Sequence, residues 1–208
     1  MVLEIDNILE NSDSLTKMLL PFENQDIIAA FPKQSSDETD SIYTKYINAF
    51  TDPFNHFVYG NACNGRSFKK VYKTIESNSV YDVYDFLSHP DRPLIAVAQG
   101  FTVLSAYAKK GTDAYDDVLP VMRILHHKRK IAFVHSVSLY HHTTRSLMQF
   151  IEKQGWASRN ALERKKYGIT HRMKYLSYFQ NMRARIWPFY ALSVVAPTIH
   201  ALIGWIVD

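Results

Sequence analysis

The 208-residue chain has a single cysteine, Cys63, which excludes an internal disulfide and any zinc site built on several thiolates. Glycine and proline are scarce, at 7 and 8 residues, and that excludes collagen-like and low-complexity scaffolds. The start lacks the basic segment of a secretory signal peptide: Met1–Asp13 is acidic, so no cleaved leader is expected. No internal repeat is visible. What is present is an ordinary folding composition, 47% hydrophobic and 21% charged, which argues against a disordered chain and supplies enough apolar surface for a core. Thirteen Tyr and twelve Phe favour a fold that contains a sheet.

The net charge of +4 conceals a gradient. Residues 1–60 carry 3 Lys or Arg against 10 Asp or Glu, residues 61–120 carry 7 against 7, and residues 121–208 carry 14 against 3. A basic last third attracts phosphate, nucleic acid or an anionic membrane. The plainer reading is that the acidic first third, or a partner, neutralises it. Arg159, Arg164, Lys165, Lys166, Arg172 and Lys174 are interleaved with Trp156, Tyr167 and Tyr175, a mixture that suits single-stranded nucleic acid. No nucleic-acid fingerprint accompanies them, and a solvated strand and loop is the preferred reading.

Three regions are expected. Residues 1–55 form an acidic helical region, 56–176 an α/β core, and 177–208 a basic and then apolar helix. In the first, Leu15, Met18, Leu19 and Phe22 recur at helical spacing, so residues 1–33 read as one or two short helices broken at Pro21 and Pro32. Gln34–Ser41 reads as a loop and Ile42–Phe50 as a helix. His56–Asn61 is a candidate first strand, and Val80–Leu87 fits strand or helix. Leu94–Ala98 and Phe101–Ala108 read as a hairpin turning at Gln99-Gly100. After the loop Lys109–Asp113 a helix runs to about Lys130, capped by Asp116 or Asp117, with Pro120 in its first turn.

Ile131–Leu139 alternates, which places Ile131, Phe133, His135, Val137 and Leu139 on one face. Thr143 or Thr144 then caps a helix with Leu147, Met148, Phe150 and Ile151 inward, ended by Gly155. Tyr167–Tyr175 alternates again. The order over 94–175 is therefore β-β-α-β-α-β, and the fold class is α+β, a mixed sheet flanked by helices.

This order resembles the later two-thirds of the GNAT superfamily of acyl-CoA N-acyltransferases. The strand Ile131–Leu139 followed by Thr144–Trp156 is similar to that family's strand, helix and K-x-G-F segment, with Lys153, Gly155 and Trp156 in place. The strand ending at Arg172–Tyr175 resembles its closing strand, and the likeness spans roughly residues 93–176. The resemblance implies transfer of an acyl group from acetyl-CoA to an amine. The cofactor pyrophosphate would lie at Lys109, Lys110, Gly111 and Thr112, where the family has a Gly-rich loop before a helix.

The family pattern is departed from in three places. The glycine of that loop is displaced, and Asp113, Asp116 and Asp117 oppose an anion. Ile151 occupies the position of the family's proton-donating tyrosine. Phe101–Ala108 carries no carboxylate base, only Ser105 and Tyr107. Tyr140, His141 and His142, at the end of the next strand, are the substitutes. A similar combination resembles GNAT-like internal virion proteins of tailed phages. That implies the alternative, a non-catalytic virion or assembly protein, virion-associated rather than simply cytoplasmic.

Nine histidines are present, six of them between 126 and 171. The adjacent pairs His126-His127 and His141-His142 diverge on a helix or strand, and no H-x-x-x-H spacing occurs, so no metal site is expected. His135 and His171 read as ordinary sheet residues. Trp187–Val207 carries no charge over 21 residues and would span roughly 31 Å as a helix. Pro188, Pro197 and His200 argue against a membrane anchor. The stripe Leu192, Val195, Ile199, Leu202 and Ile206 favours docking, on the chain's own domain, a second copy in a homo-oligomer, or a virion partner, with membrane contact as the other reading.

Overall fold

The computed structural model describes residues 7–50, 65–88, 99–108 and 119–153. Strand β1 (Asn7–Leu9) precedes helix α1 (Ser14–Leu19) and the 3-10 turn Leu20–Glu23. Strand β2 (Ile27–Ser35) and helix α2 (Ile42–Phe50) follow. Next come the short helix α3 (Phe68–Val71) and strands β3 (Thr74–Ser77), β4 (Asp82–Tyr84) and β5 (Thr102–Val103). Helix α4 (Leu119–His126) leads into the longest strand, β6 (Lys130–His141), and helix α5 covers 147–153. The described residues are thus mixed α and β around one six-stranded sheet of order β3-β4-β6-β2-β5, with β1 also on β6.

Strand β6 is central because it is apolar on both faces. It runs parallel to β2 along one edge. Its other edge takes antiparallel β4 near its start, through Phe133 and Ala132, and antiparallel β1 near its end, through Leu139 to His141. β2 begins Ile-Ile-Ala-Ala-Phe, a continuous apolar run of the kind that survives only when both faces are covered, and Ile27 to Phe31 are all buried. One face packs on α3 and α4 through Phe31, Phe68, Tyr72, Tyr84, Phe86, Ile124 and Phe133. The other packs on α1 through Met18, Ala30, Val83, Ala132, Val134 and Val137.

Several expectations are corrected. Residues 1–33 are not simply helical: β1 and most of β2 lie there, because the Ile27–Phe31 run has a strand partner to pair with while, of the apolar side chains of α1, helical spacing buries only Met18. The polar stretch from Gln34 starts inside β2. Phe101–Ala108 is a strand only at Thr102 and Val103, paired to β2, before a 3-10 turn at Ser105–Tyr107. The turn at Gln99-Gly100 is present, with Gly100 at φ +66° and Pro32 so close that a Cβ would meet its ring at 2.8 Å.

The helix expected to reach Lys130 stops at His126. Lys128 takes a left-handed conformation (φ 57°), and the bonds Lys128 N–H to Leu125 O and Arg129 N–H to Ile124 O close the helix end. Arg129 and Lys130 turn instead to Asp26, at 3.8 and 3.5 Å, one place where the acidic first third meets the basic last third.

The single apolar face expected along Ile131–Leu139 is interrupted. Pro32 pairs with Val134, but the next rung joins Lys33 to Ser138, so His135, Ser136 and Val137 bulge out of the ladder. Proline has no N–H to donate, so the ladder is weakest there. The bulge puts Val137 beside Ala132 and Val134, on the face opposite Ile131 and Phe133. His135 reaches the Asn78 carbonyl at 3.2 Å, as an ordinary sheet residue would.

The cap of α5 is Ser146 rather than Thr143 or Thr144: its Oγ accepts the Gln149 N–H at 3.3 Å. Of the four side chains expected inward only Phe150 is buried, against Tyr46 and Ile47 of α2; Leu147, Met148 and Ile151 are exposed. The candidate strands His56–Asn61, Leu94–Ala98 and Tyr167–Tyr175 and the stretch Trp187–Val207 lie outside the described residues. No helix among the described residues is long and apolar enough to cross a membrane.

Two outcomes follow from this packing. Phe68 is fully buried and sits within 6.2 Å, ring to ring, of Phe31, Tyr72, Tyr84, Phe86 and Phe133. Phe68→Ala therefore destabilises the fold by about 3–5 kcal/mol in urea unfolding. Burial, and then the Asp82 carboxylate that accepts its hydrogen bond at 2.9 Å, push the Tyr84 phenol well above its usual value. A raised value favours the neutral phenol in the folded state, so this stabilisation is complete below pH ~10 and is lost as the pH rises further. Unfolding measured from pH 8 to 12 should show a shallower alkaline fall in Tyr84→Phe.

Candidate functional site

Parallel strands that end together leave a crevice at their carboxyl ends, where α/β sheets commonly bind ligands. Here Ser35 of β2 stands beside Tyr140 of β6, and both strands end within one residue of that rung. The segment 142–146 leaves β6 and the segment 36–41 leaves β2 at the same place. Helix α2 packs over the junction.

The contact between α2 and that junction is polar where a helix face is usually apolar. Ser41, Thr44 and Asn48 recur at helical spacing and turn toward 141–144. Ser41 caps the helix, its Oγ accepting the Thr44 N–H at 3.1 Å, and also donates to the Thr144 carbonyl. The Thr44 hydroxyl donates to the Thr144 carbonyl at 2.7 Å and accepts the Thr144 N–H at 3.0 Å. One turn on, Asn48 Nδ2 reaches Ser35 O at 2.7 Å, Ser36 Oγ at 2.8 Å and His141 O at 2.9 Å. Strands that have just ended leave such carbonyls unpaired, and the α2 side chains take the place of the missing ladder.

His141 is buried within this seam. Its Nδ1 lies 2.6 Å from Gln34 Nε2, which also donates to Asn48 Oδ1 at 2.9 Å. Asn48 Oδ1 stands 3.2 Å from the same ring nitrogen. Arg66 Nη2 adds bonds to Gln34 O and Ser35 Oγ at 3.2 and 3.3 Å, bringing a positive charge to the end of β2.

His142, the first residue beyond β6, turns to the loop before α2. Its Nδ1 meets Asp40 Oδ1 at 2.7 Å. The second oxygen of Asp40 accepts the Asp37 N–H at 2.8 Å, so the carboxylate is held by the loop backbone. Asp37 in turn is fixed by Thr39, whose hydroxyl and N–H both bond its carboxylate and keep it below the usual range. With Nδ1 engaged, Nε2 is the ring nitrogen of His142 left without a hydrogen bond among the described residues.

An open cleft of about 610 Å³ lies against His142, lined by Thr143, Thr144, Arg145, Gln149, Glu152 and Lys153. The hydroxyls of Thr143 and Thr144 are buried at its wall without a hydrogen-bond partner among the described residues. A base with a fixed proton-bearing side, set at the wall of an open polar cleft, is equipped to take a proton from a bound nucleophile.

The sequence candidates separate on this frame. His141 and His142 are brought together with Asp40, Gln34 and Asn48, one as a buried member of the seam and one at the cleft. Tyr140 is directed away: its hydroxyl donates to Glu10 at 2.9 Å, and that carboxylate raises its pKa. Ser105 is exposed on a 3-10 turn and Tyr107 packs against the α3–α4 face of the sheet, so neither joins His142. Ile151 is exposed on α5. Lys109, Lys110, Gly111 and Thr112, the residues expected to hold the cofactor, lie outside the described residues, as does His171. His126 and His127 are exposed on the end of α4, and no group of three His, Cys, Asp or Glu comes together among the described residues.

Asp40 was the residue that sequence reasoning missed, since nothing in Gln34–Ser41 distinguishes one acid from its neighbours. The Ser41, Thr44, Asn48 spacing was the available signal: three polar residues on one stripe of a helix that otherwise buries Tyr46 and Ile47.

Thr44→Val, which keeps the shape and removes the hydroxyl, leaves the buried Thr144 N–H unpaired and its carbonyl held by Ser41 alone. It should cost about 1–3 kcal/mol in urea unfolding. No protein-family model matches the chain, and no curated protein matches it.

Proposed function

We propose that the chain is a group-transfer enzyme in which His142, oriented by Asp40, is the general base, and that its reaction is acyl transfer from an acyl-CoA to an amine. The observation that carries the chemistry is the 2.7 Å contact between His142 Nδ1 and Asp40 Oδ1 at the wall of the cleft. The acyl-CoA part of the reading rests on the sequence resemblance over 93–176, since a mixed six-stranded sheet is shared by many folds.

An acyl-CoA supplies an activated thioester. The amine nitrogen bonds to the thioester carbonyl carbon, His142 Nε2 takes its proton while Asp40 holds the opposite nitrogen and stabilises the imidazolium, and as the C–S bond breaks the imidazolium returns that proton to the departing CoA thiolate. His142, at the end of the strand that follows, would thus substitute for the carboxylate that the family pattern has on an earlier strand and that Phe101–Ala108 lacks. Arg145 and Lys153 on the same cleft wall give it cations suited to a phosphate-bearing ligand.

His142→Gln and Asp40→Asn should each lower acyl transfer to amines by about 10²–10⁴-fold, with the KM for acyl-CoA little changed. Millimolar acetyl-CoA should raise the Tm of the full chain. No stabilisation and no transfer to a panel of amines would overturn the reading.

The second reading, a non-catalytic virion or assembly protein, is favoured by one feature. α5 presents Leu147, Met148 and Ile151 at 38%, 65% and 41% exposure. It expects self-association in sedimentation that Met148→Glu abolishes and His142→Gln leaves intact.

A further inference from the structure

We infer that Asn48 is a positioning residue, which holds the His142 imidazole on Asp40 by fixing the backbone of the residue before it. The inference rests on the reading of His142 as the base, and it names the group that sets the geometry of that base.

Asp40 and His142 come from segments 102 residues apart. Asp40 is set by the Asp37–Asp40 turn and stands two residues before α2, so it moves with that helix. His142 leaves the end of β6, between His141 and Thr143. Two side chains of α2, one turn apart, fix the flanks of this segment: Asn48 bonds His141 O, and Thr44 bonds both backbone groups of Thr144. Donor–acceptor contacts weaken within a few tenths of an ångström beyond 3 Å, so a small slide of α2 against β6 would open the 2.7 Å contact.

Asn48 is suited to this by its chemistry. It is 2% exposed, and both ends of its amide are in use. The nitrogen faces Ser35 O, Ser36 Oγ and His141 O, tying the end of β2 to the end of β6. The oxygen accepts from Gln34 Nε2 at 2.9 Å and stands 3.2 Å from His141 Nδ1. A helix position needed only for packing is filled by an apolar side chain, as Tyr46 and Ile47 show on the same helix. A buried amide bonded at both its nitrogen and its oxygen specifies one arrangement of three segments.

The test is Asn48→Asp, which keeps the shape but turns an oxygen toward the Ser35 and His141 carbonyls. The readout is the ring nitrogen-15 spectrum of His142 in the full chain, with Asp40→Asn as the reference for a broken pair. The intact chain should show the proton held on Nδ1. Asn48→Asp should lose that single form and match Asp40→Asn, with kcat falling by a similar factor and KM unchanged. Thr44→Ser, which keeps the hydroxyl, should retain it.

A lowered Tm with the His142 signature intact would overturn the inference, since Asn48 would then be structural only. If Asn48→Asp does not fold, Gln34→Ala, which removes the partner of Asn48 Oδ1, carries the same readout. The ring signature is independent of turnover. A signature lost in the variant, together with no transfer by the intact chain, sinks the acyl-transfer reading and leaves the positioning role standing.

Discussion

The parallel ladder between β2 and β6 is the constraint on which the remaining structure depends. It joins residues about a hundred positions apart, and loop closure over that span is offset only by burying both strands on both faces. Once β6 is central, its outer edge receives β4 at one end and β1 at the other. The helices then divide, α3 and α4 to one face and α1 to the opposite one. Pro32 marks where this ladder cannot be continuous. The three-residue bulge opposite it lets the two strands resume pairing and end side by side at Ser35 and Tyr140.

That shared ending creates the need that α2 meets. Two strands that stop together leave carbonyls and amides unpaired, and the chain continues from each as an irregular segment. Ser41, Thr44 and Asn48 supply the missing partners from a single helix face. Each such bond contributes on the order of 1 kcal/mol net, but leaving any of these buried groups unpaired costs more, so the seam is specific. Its geometric result is that Asp40 and His142 meet at an open cleft while His141 is enclosed behind them. The functional reading begins from that separation of two adjacent histidines, one inside the seam and one at its edge.

Part of the described chain was legible from residue pattern alone. The strand at Ile131–Leu139, the helix at Ile42–Phe50 and the turn at Gly100 follow from alternation, amphipathic spacing and a glycine where φ is positive. The site was legible only in part. His141 and His142 stood out at a strand end, but their partners Gln34, Asp40, Thr44 and Asn48 lie about a hundred residues earlier, in a stretch that reads as an ordinary polar loop and helix. Helical spacing also misled at Ile27–Phe31, where the run fits either structure until a strand partner is known.

By itself the sequence determined the local elements with a strong period, the absence of a disulfide framework, and a pair of histidines at the end of a long strand, because these depend on neighbours in the chain. Only the tertiary structure decided that the acidic first third contributes β2 to the centre of the sheet. It also decided that Val137 faces opposite Phe133, and that Asp40 rather than any other acid meets His142. Those outcomes depend on which strand pairs with β6 and in what register, and non-local pairing is settled by total burial across the sheet, a quantity that no single stretch of residues carries.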